Sequence, residues 1–103
     1  MKTIGVIGGG SWGTALVSLL SNDLSSTHWC IRSQQQIDNI IEEKRNKKYL
    51  PNCFIDLAKV KMTTSVIETI AKCDVLVVAT PAEYLLATFS KVKESDLKDK
   101  FII

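Results

Sequence analysis

The chain has 103 residues, 46% of them hydrophobic and 23% charged, with a net charge of +2. That composition fits one small globular domain and excludes a disordered, fibrous or strongly basic nucleic-acid-binding chain. No apolar run approaches the ~20 residues of a membrane span, and three scattered cysteines without a C-x-x-C or a Cys/His pair give no zinc or redox motif. Free thiols and the lack of a leader-like segment make a cytoplasmic location the expectation.

Thr3-Ile4-Gly5-Val6-Ile7 is a short β-branched run ended by glycines, the pattern of a buried parallel strand. Trp12, Ala15, Leu16, Leu19 and Leu20 then recur at helical spacing, predicting a helix over Ser11–Asn22 with those residues on its apolar face. Asn22-Asp23 and Ser25-Ser26 supply turn chemistry. His28-Trp29-Cys30-Ile31 reads as the second strand, with Trp29 in the core. Ile37, Ile40 and Ile41 mark a second helix running into the basic segment up to Lys48. Tyr49-Leu50-Pro51-Asn52 reads as a loop, since Pro51 disfavours helical dihedrals before it.

Val60–Thr63 is a weak third strand, and Val66, Ile67 and Ile70 mark a short helix capped by Thr64 or Ser65. Asp74–Ala79 is the most strand-like run of the chain. Leu85, Leu86 and Phe89 lie on a helix beginning after Pro81, and Phe101-Ile102-Ile103 opens a fifth strand. The order β-α-β-α-β-α-β-α-β implies an α/β fold of the Rossmann type, a doubly wound parallel sheet joined by right-handed crossovers. Residues 1–103 are read as one dinucleotide-binding domain, the N-terminal part of a longer enzyme, whose apolar last strand leaves an edge through which a homodimer could form.

Function concentrates in the turn after the first strand. Gly8, Gly10 and Gly13 fill the three glycine positions of G-x-G-x-x-G between a strand and a helix, the context this motif requires. Gly8 allows the tight turn, Gly10 lets backbone approach a pyrophosphate, and Gly13 permits close helix packing. Amide groups of Ser11 and Trp12 at the helix start point at the anion. At the end of the second strand, where a carboxylate would bind ribose hydroxyls, the chain carries Arg32 and Ser33. A guanidinium suits a 2′-phosphate, so the expected cofactor is NADP or NAD, with NADP favoured. His28, the single histidine, lies inside a strand and is given no catalytic role.

Gly8-Gly9-Gly10-Ser11-Trp12-Gly13-Thr14-Ala15-Leu16 resembles the G-x-G-S-W-G-T-A-L opening of bacterial NAD(P)-dependent glycerol-3-phosphate dehydrogenases. Trp29 with Arg32, Asn46 with Tyr49-Leu50-Pro51-Asn52, and Val77-Val78-Ala79-Thr80-Pro81 are similar to three later stretches of that family. The resemblance spans the whole chain. It departs from the family in the two residues between Trp29 and Arg32, in Ala82 where Ser or Thr is common, and in Leu86 where a basic residue is frequent.

What the resemblance implies is a fold that binds NAD(P)H through Ser11, Trp12, Arg32 and Tyr49, with Pro81 near the nicotinamide. It also implies reversible reduction of dihydroxyacetone phosphate to sn-glycerol 3-phosphate for phospholipid synthesis. No residue of the chain is expected to be catalytic, since the family's lysine groups would follow Ile103. Neither nucleic acid nor a membrane span is expected. Other readings are the cofactor domain of a ketopantoate reductase or phosphogluconate-type dehydrogenase, or a stand-alone nucleotide-sensing module.

Overall fold

A computed structural model describes residues 3–23 and 26–103. Of the expected turn residues, Asn22 and Asp23 instead end the helix that starts at Ser11, and Ser25 lies outside the described residues. Five short runs form the parallel sheet: β1 (Ile4–Ile7), β2 (Thr27–Cys30), β5 (Val60–Thr63), β6 (Val75–Val78) and β7 (Phe101–Ile102). Their spatial order is β5-β2-β1-β6-β7. Numbered by their succession in the sheet alone, that is 3-2-1-4-5, the doubly wound order in which the chain reverses direction between β1 and β6.

Side chains alternate across this sheet. Val6 and Trp29 face one side, where Val17, Ile37, Ile40, Ile55 and Val60 complete a buried cluster. Ile7 and Cys30 face the other, packed with Ile70, Cys73 and Leu76. The first side is covered by α1 (Ser11–Asp23) and α2 (Gln34–Glu43), the second by α3 (Val66–Lys72) and the segment carrying Phe89, Val92 and Leu97. The fold is Rossmann-type α/β, as the alternation of strands and helices predicts. Among the described residues no helix is long and apolar enough to cross a membrane.

Three local expectations are corrected. The face that α1 buries is Thr14, Val17 and Ser21, with Leu16 and Leu20 at its flank, while Trp12 and Leu19 are about two-thirds exposed (67% and 65%). The helix packs by its small residues because Gly13 must lie against the Gly8 carbonyl, where any Cβ would overlap the oxygen. Helix α2 stops at Glu43 rather than near Lys48. Lys44 turns left-handed at φ 58° and donates its N–H to the Ile40 carbonyl at 2.7 Å.

The expected loop at Tyr49–Asn52 is instead part of an antiparallel hairpin, β3 (Arg45–Asn46) with β4 (Leu50–Phe54). It is held on the body by buried Ile55, and the Arg45 guanidinium over the Phe54 ring ties its two strands to each other. Ser65, not Thr64, caps α3, accepting from the Glu68 N–H at 3.1 Å. The last α-helix among the described residues, α4 (Ala82–Thr88), follows directly on Pro81.

Candidate functional site: a cation-lined crevice at the sheet's switch point

The C-terminal ends of β1, β2 and β6 open on one crevice of about 490 Å³, within the range of small-molecule and cofactor pockets. Gly8, Gly9 and Gly10 form its floor, Arg32 and Ser33 one wall, and Thr80 and Pro81 the other. This is where an open α/β sheet binds its ligand, because the chains leaving β1 and β6 diverge there.

Each glycine of the turn has its own reason. Gly8 has φ +136°, and a Cβ there would stand 2.5 Å from the Ala79 carbonyl oxygen. At Gly10 a Cβ would meet nothing within 4 Å. The bare α-carbon there leaves room for a ligand to lie against that backbone. The carbonyls of the turn are all engaged on the protein side: Gly8 O accepts from Trp29 Nε1 at 2.7 Å, Gly9 O from Gln36 Nε2 at 2.6 Å, and Gly10 O from the Thr14 hydroxyl at 2.7 Å. Among the described residues, the N–H groups of Gly9, Gly10 and Ser11 donate to no protein acceptor. Donors beside an open cradle at a helix start suit a phosphate group.

The rim is cationic. Arg32, Lys47 and Lys48 line the crevice, and among the described residues no Asp or Glu does. The Arg32 guanidinium lies over the Tyr84 ring, 4.1 Å from its centroid. Face-on stacking leaves its edge N–H groups available to an anion. Ser33 serves as the N-cap of α2, accepting from the Gln36 N–H at 3.2 Å, so the positive end of that helix also faces the crevice wall. A dinucleotide carrying phosphates therefore fits the residues present.

The other sequence-derived candidates are placed as follows. Tyr49 lines the crevice and is bound through its carbonyl by the Ser11 hydroxyl at 3.1 Å. Pro81 lines it from the β6 side. Gly13 packs under the turn. Trp12 is turned to solvent and does not line the crevice. Trp29 is fully buried, as expected of a core residue, but it also holds the Gly8 carbonyl. Sequence reasoning missed Tyr84, Gln36 and Thr14. The roles of Tyr84 and Gln36 come from long-range packing, whereas Thr14 bonds the Gly10 carbonyl four residues before it.

The family model for the N-terminus of NAD-dependent glycerol-3-phosphate dehydrogenase matches residues 3–103. The chain belongs to that family. This sets aside the ketopantoate reductase and phosphogluconate-type readings, and the chain is an NAD(P)-binding domain. Among curated relatives, the glycerol-3-phosphate dehydrogenase [NAD(P)+] of Bacillus pumilus is 35% identical over 94 residues, covering 91% of this chain and 27% of the relative. The enzyme of the same name from Orientia tsutsugamushi is 31% identical over 100 residues, covering 97% and 30%. The chain thus spans under a third of the length of the relatives it matches.

Solved structures share the fold. The glycerol-3-phosphate dehydrogenase of Saccharomyces cerevisiae superposes with a TM-score of 0.85 at 18% identity, covering 98% of this chain and 32% of that one. The enzyme from Coxiella burnetii gives 0.77 at 19% identity, covering 98% and 31%.

Proposed function

We propose that this chain is the cofactor-holding part of an enzyme that interconverts dihydroxyacetone phosphate and sn-glycerol 3-phosphate, feeding phospholipid synthesis, with NADP accepted at least as well as NAD. The observation that carries the cofactor reading is Arg32, stacked on Tyr84 at a crevice rim that bears cations and, among the described residues, no carboxylate. A carboxylate there would accept hydrogen bonds from the ribose of NAD and repel a 2′-phosphate; a guanidinium reverses both effects.

The bound dinucleotide supplies the hydride. The chain's own residues bind and orient it: the glycine turn and the N-termini of α1 and α2 hold its phosphates, and Arg32 its adenosine end. Ser11, Tyr49 and Pro81 shape the crevice between them, and Trp12 stands at the start of α1. None of these side chains is assigned a proton or hydride transfer, so the reacting groups belong to the rest of the enzyme.

Titrating the chain with NADPH and NADH, read by the cofactors' own fluorescence, tests the assignment. Arg32→Asp should weaken NADPH by about tenfold more than NADH, the loss of one charge-assisted pair. Equal losses for both cofactors would remove Arg32 from the 2′-phosphate. Failure of the polypeptide carrying this domain to oxidise NADPH with dihydroxyacetone phosphate would reject the substrate.

A further inference from the structure

Asn46 sits on the short strand β3, far from the turn in sequence and 2% exposed. Its side-chain nitrogen carries two hydrogens, and both are used. One goes to the Gly9 carbonyl oxygen at 2.9 Å and the other to the Thr14 hydroxyl at 2.8 Å. The Thr14 hydroxyl donates its own hydrogen bond to the Gly10 carbonyl oxygen. Gln36, on the first turn of α2, donates a second bond to the same Gly9 oxygen. One exposed-side peptide of a glycine turn is thus gripped by two amide side chains from two different elements.

A trans peptide points its C=O and N–H in opposite directions. Holding the Gly9 oxygen toward α2 and β3 therefore turns the Gly10 N–H the other way, into the crevice that both glycines line. Between two glycines this peptide has no Cβ to bias its orientation, so unaided it would rotate through many states. Fixing it before ligand arrives removes an ordering cost from binding. The geometry points to Asn46, seconded by Gln36, as a positioning residue: by holding the Gly9 carbonyl it presents the Gly10 N–H to the pyrophosphate. Asparagine suits the place because one nitrogen must donate twice, uncharged, in a buried setting. An aspartate cannot donate at all, and would set a carboxylate oxygen against the Gly9 carbonyl.

This inference rests on the reading of the crevice as a dinucleotide site, and the pyrophosphate is common to both cofactors. Its mark is therefore an equal loss for NADPH and NADH, unlike the unequal loss expected at Arg32. The test compares the chain with Asn46→Asp and with Gln36→Leu, the latter on a partly exposed helix position that can be changed with little risk to folding. Each is titrated with both cofactors at a temperature where circular dichroism shows it folded, and the Gly10 amide resonance is followed without ligand. Asn46→Asp should raise both dissociation constants about tenfold and by the same factor, and Gln36→Leu about threefold, with the Gly10 resonance displaced in both.

A merely structural role would lower the melting temperature and leave the dissociation constants of the folded variants unchanged. That result overturns the inference, as does a loss confined to one cofactor. If Asn46→Asp does not fold, unchanged constants in Gln36→Leu overturn it equally. If the unsubstituted chain binds neither cofactor, the dinucleotide reading itself falls and takes this inference with it.

Discussion

The indole N–H of Trp29 donates to the carbonyl oxygen of Gly8 at 2.7 Å, tying β2 to the first residue of the glycine turn that follows β1. Trp29 is fully buried, so its ring fills the core while its one polar atom anchors the turn. The sequence alone marks it only as a core aromatic.

Trp29→Phe keeps an aromatic ring and removes that donor, leaving the Gly8 carbonyl short of its partner and a small void beside Val17 and Ile40. The expected loss is about 2–4 kcal/mol of unfolding free energy. Urea titration should be followed by circular dichroism, because the variant's one remaining indole, Trp12, is exposed. A loss below about 1 kcal/mol would show that the hydrogen bond contributes little and that packing alone recruits the tryptophan.

Gly10 and Gly13 belong to one motif but answer to different demands, and alanine separates them. At Gly10 the new Cβ enters open space, so stability should change by no more than about 1 kcal/mol while affinity for NADPH falls about tenfold or more. At Gly13 the Cβ overlaps the Gly8 carbonyl oxygen, which is backbone and cannot swing aside. Gly13→Ala should therefore cost more than about 3 kcal/mol or abolish folding. Thermal melts and cofactor titrations of the two variants read this directly. Unchanged NADPH affinity in Gly10→Ala would remove the ligand from that stretch of backbone.

What the sequence made legible was whatever depends on local pattern. The buried parallel strands announce themselves as β-branched runs, and the turn by its glycine spacing between strand and helix. Arg32 was readable by position alone. The hairpin of Arg45–Asn46 with Leu50–Phe54 was not, because Pro51 and Asn52 mimic a loop and the pairing is too short to alternate. The end of α2 carried no glycine: Lys44 adopts the left-handed conformation itself, a strain that tertiary packing imposes. The buried face of α1 was misjudged for a related reason. Hydrophobic periodicity selects Trp12 and Leu19, whereas contact with the turn selects the smallest side chains. The Asn46 and Gln36 grip on Gly9 spans 37 and 27 residues, so no local rule could find it.

His28 offers a pH-dependent test of the opposite end of the fold. Burial first, then Lys61 beside it on β5 and Lys72 on α3, hold its imidazole below the ordinary value of 6.5, with Glu68 opposing. The native state thus disfavours the protonated ring. Between the folded pKa and 6.5 the unfolded chain binds the proton more readily, so stability rises with pH there. The contribution is complete above 6.5 and is lost as pH falls toward the folded value. Glu68, held below the usual carboxyl range chiefly by its hydrogen bonds from Lys72 and Thr63, titrates outside this window. The urea midpoint should therefore drop between about pH 7.5 and about pH 5.5, and His28→Gln should flatten that slope. A slope that survives the substitution would assign the pH dependence to another group.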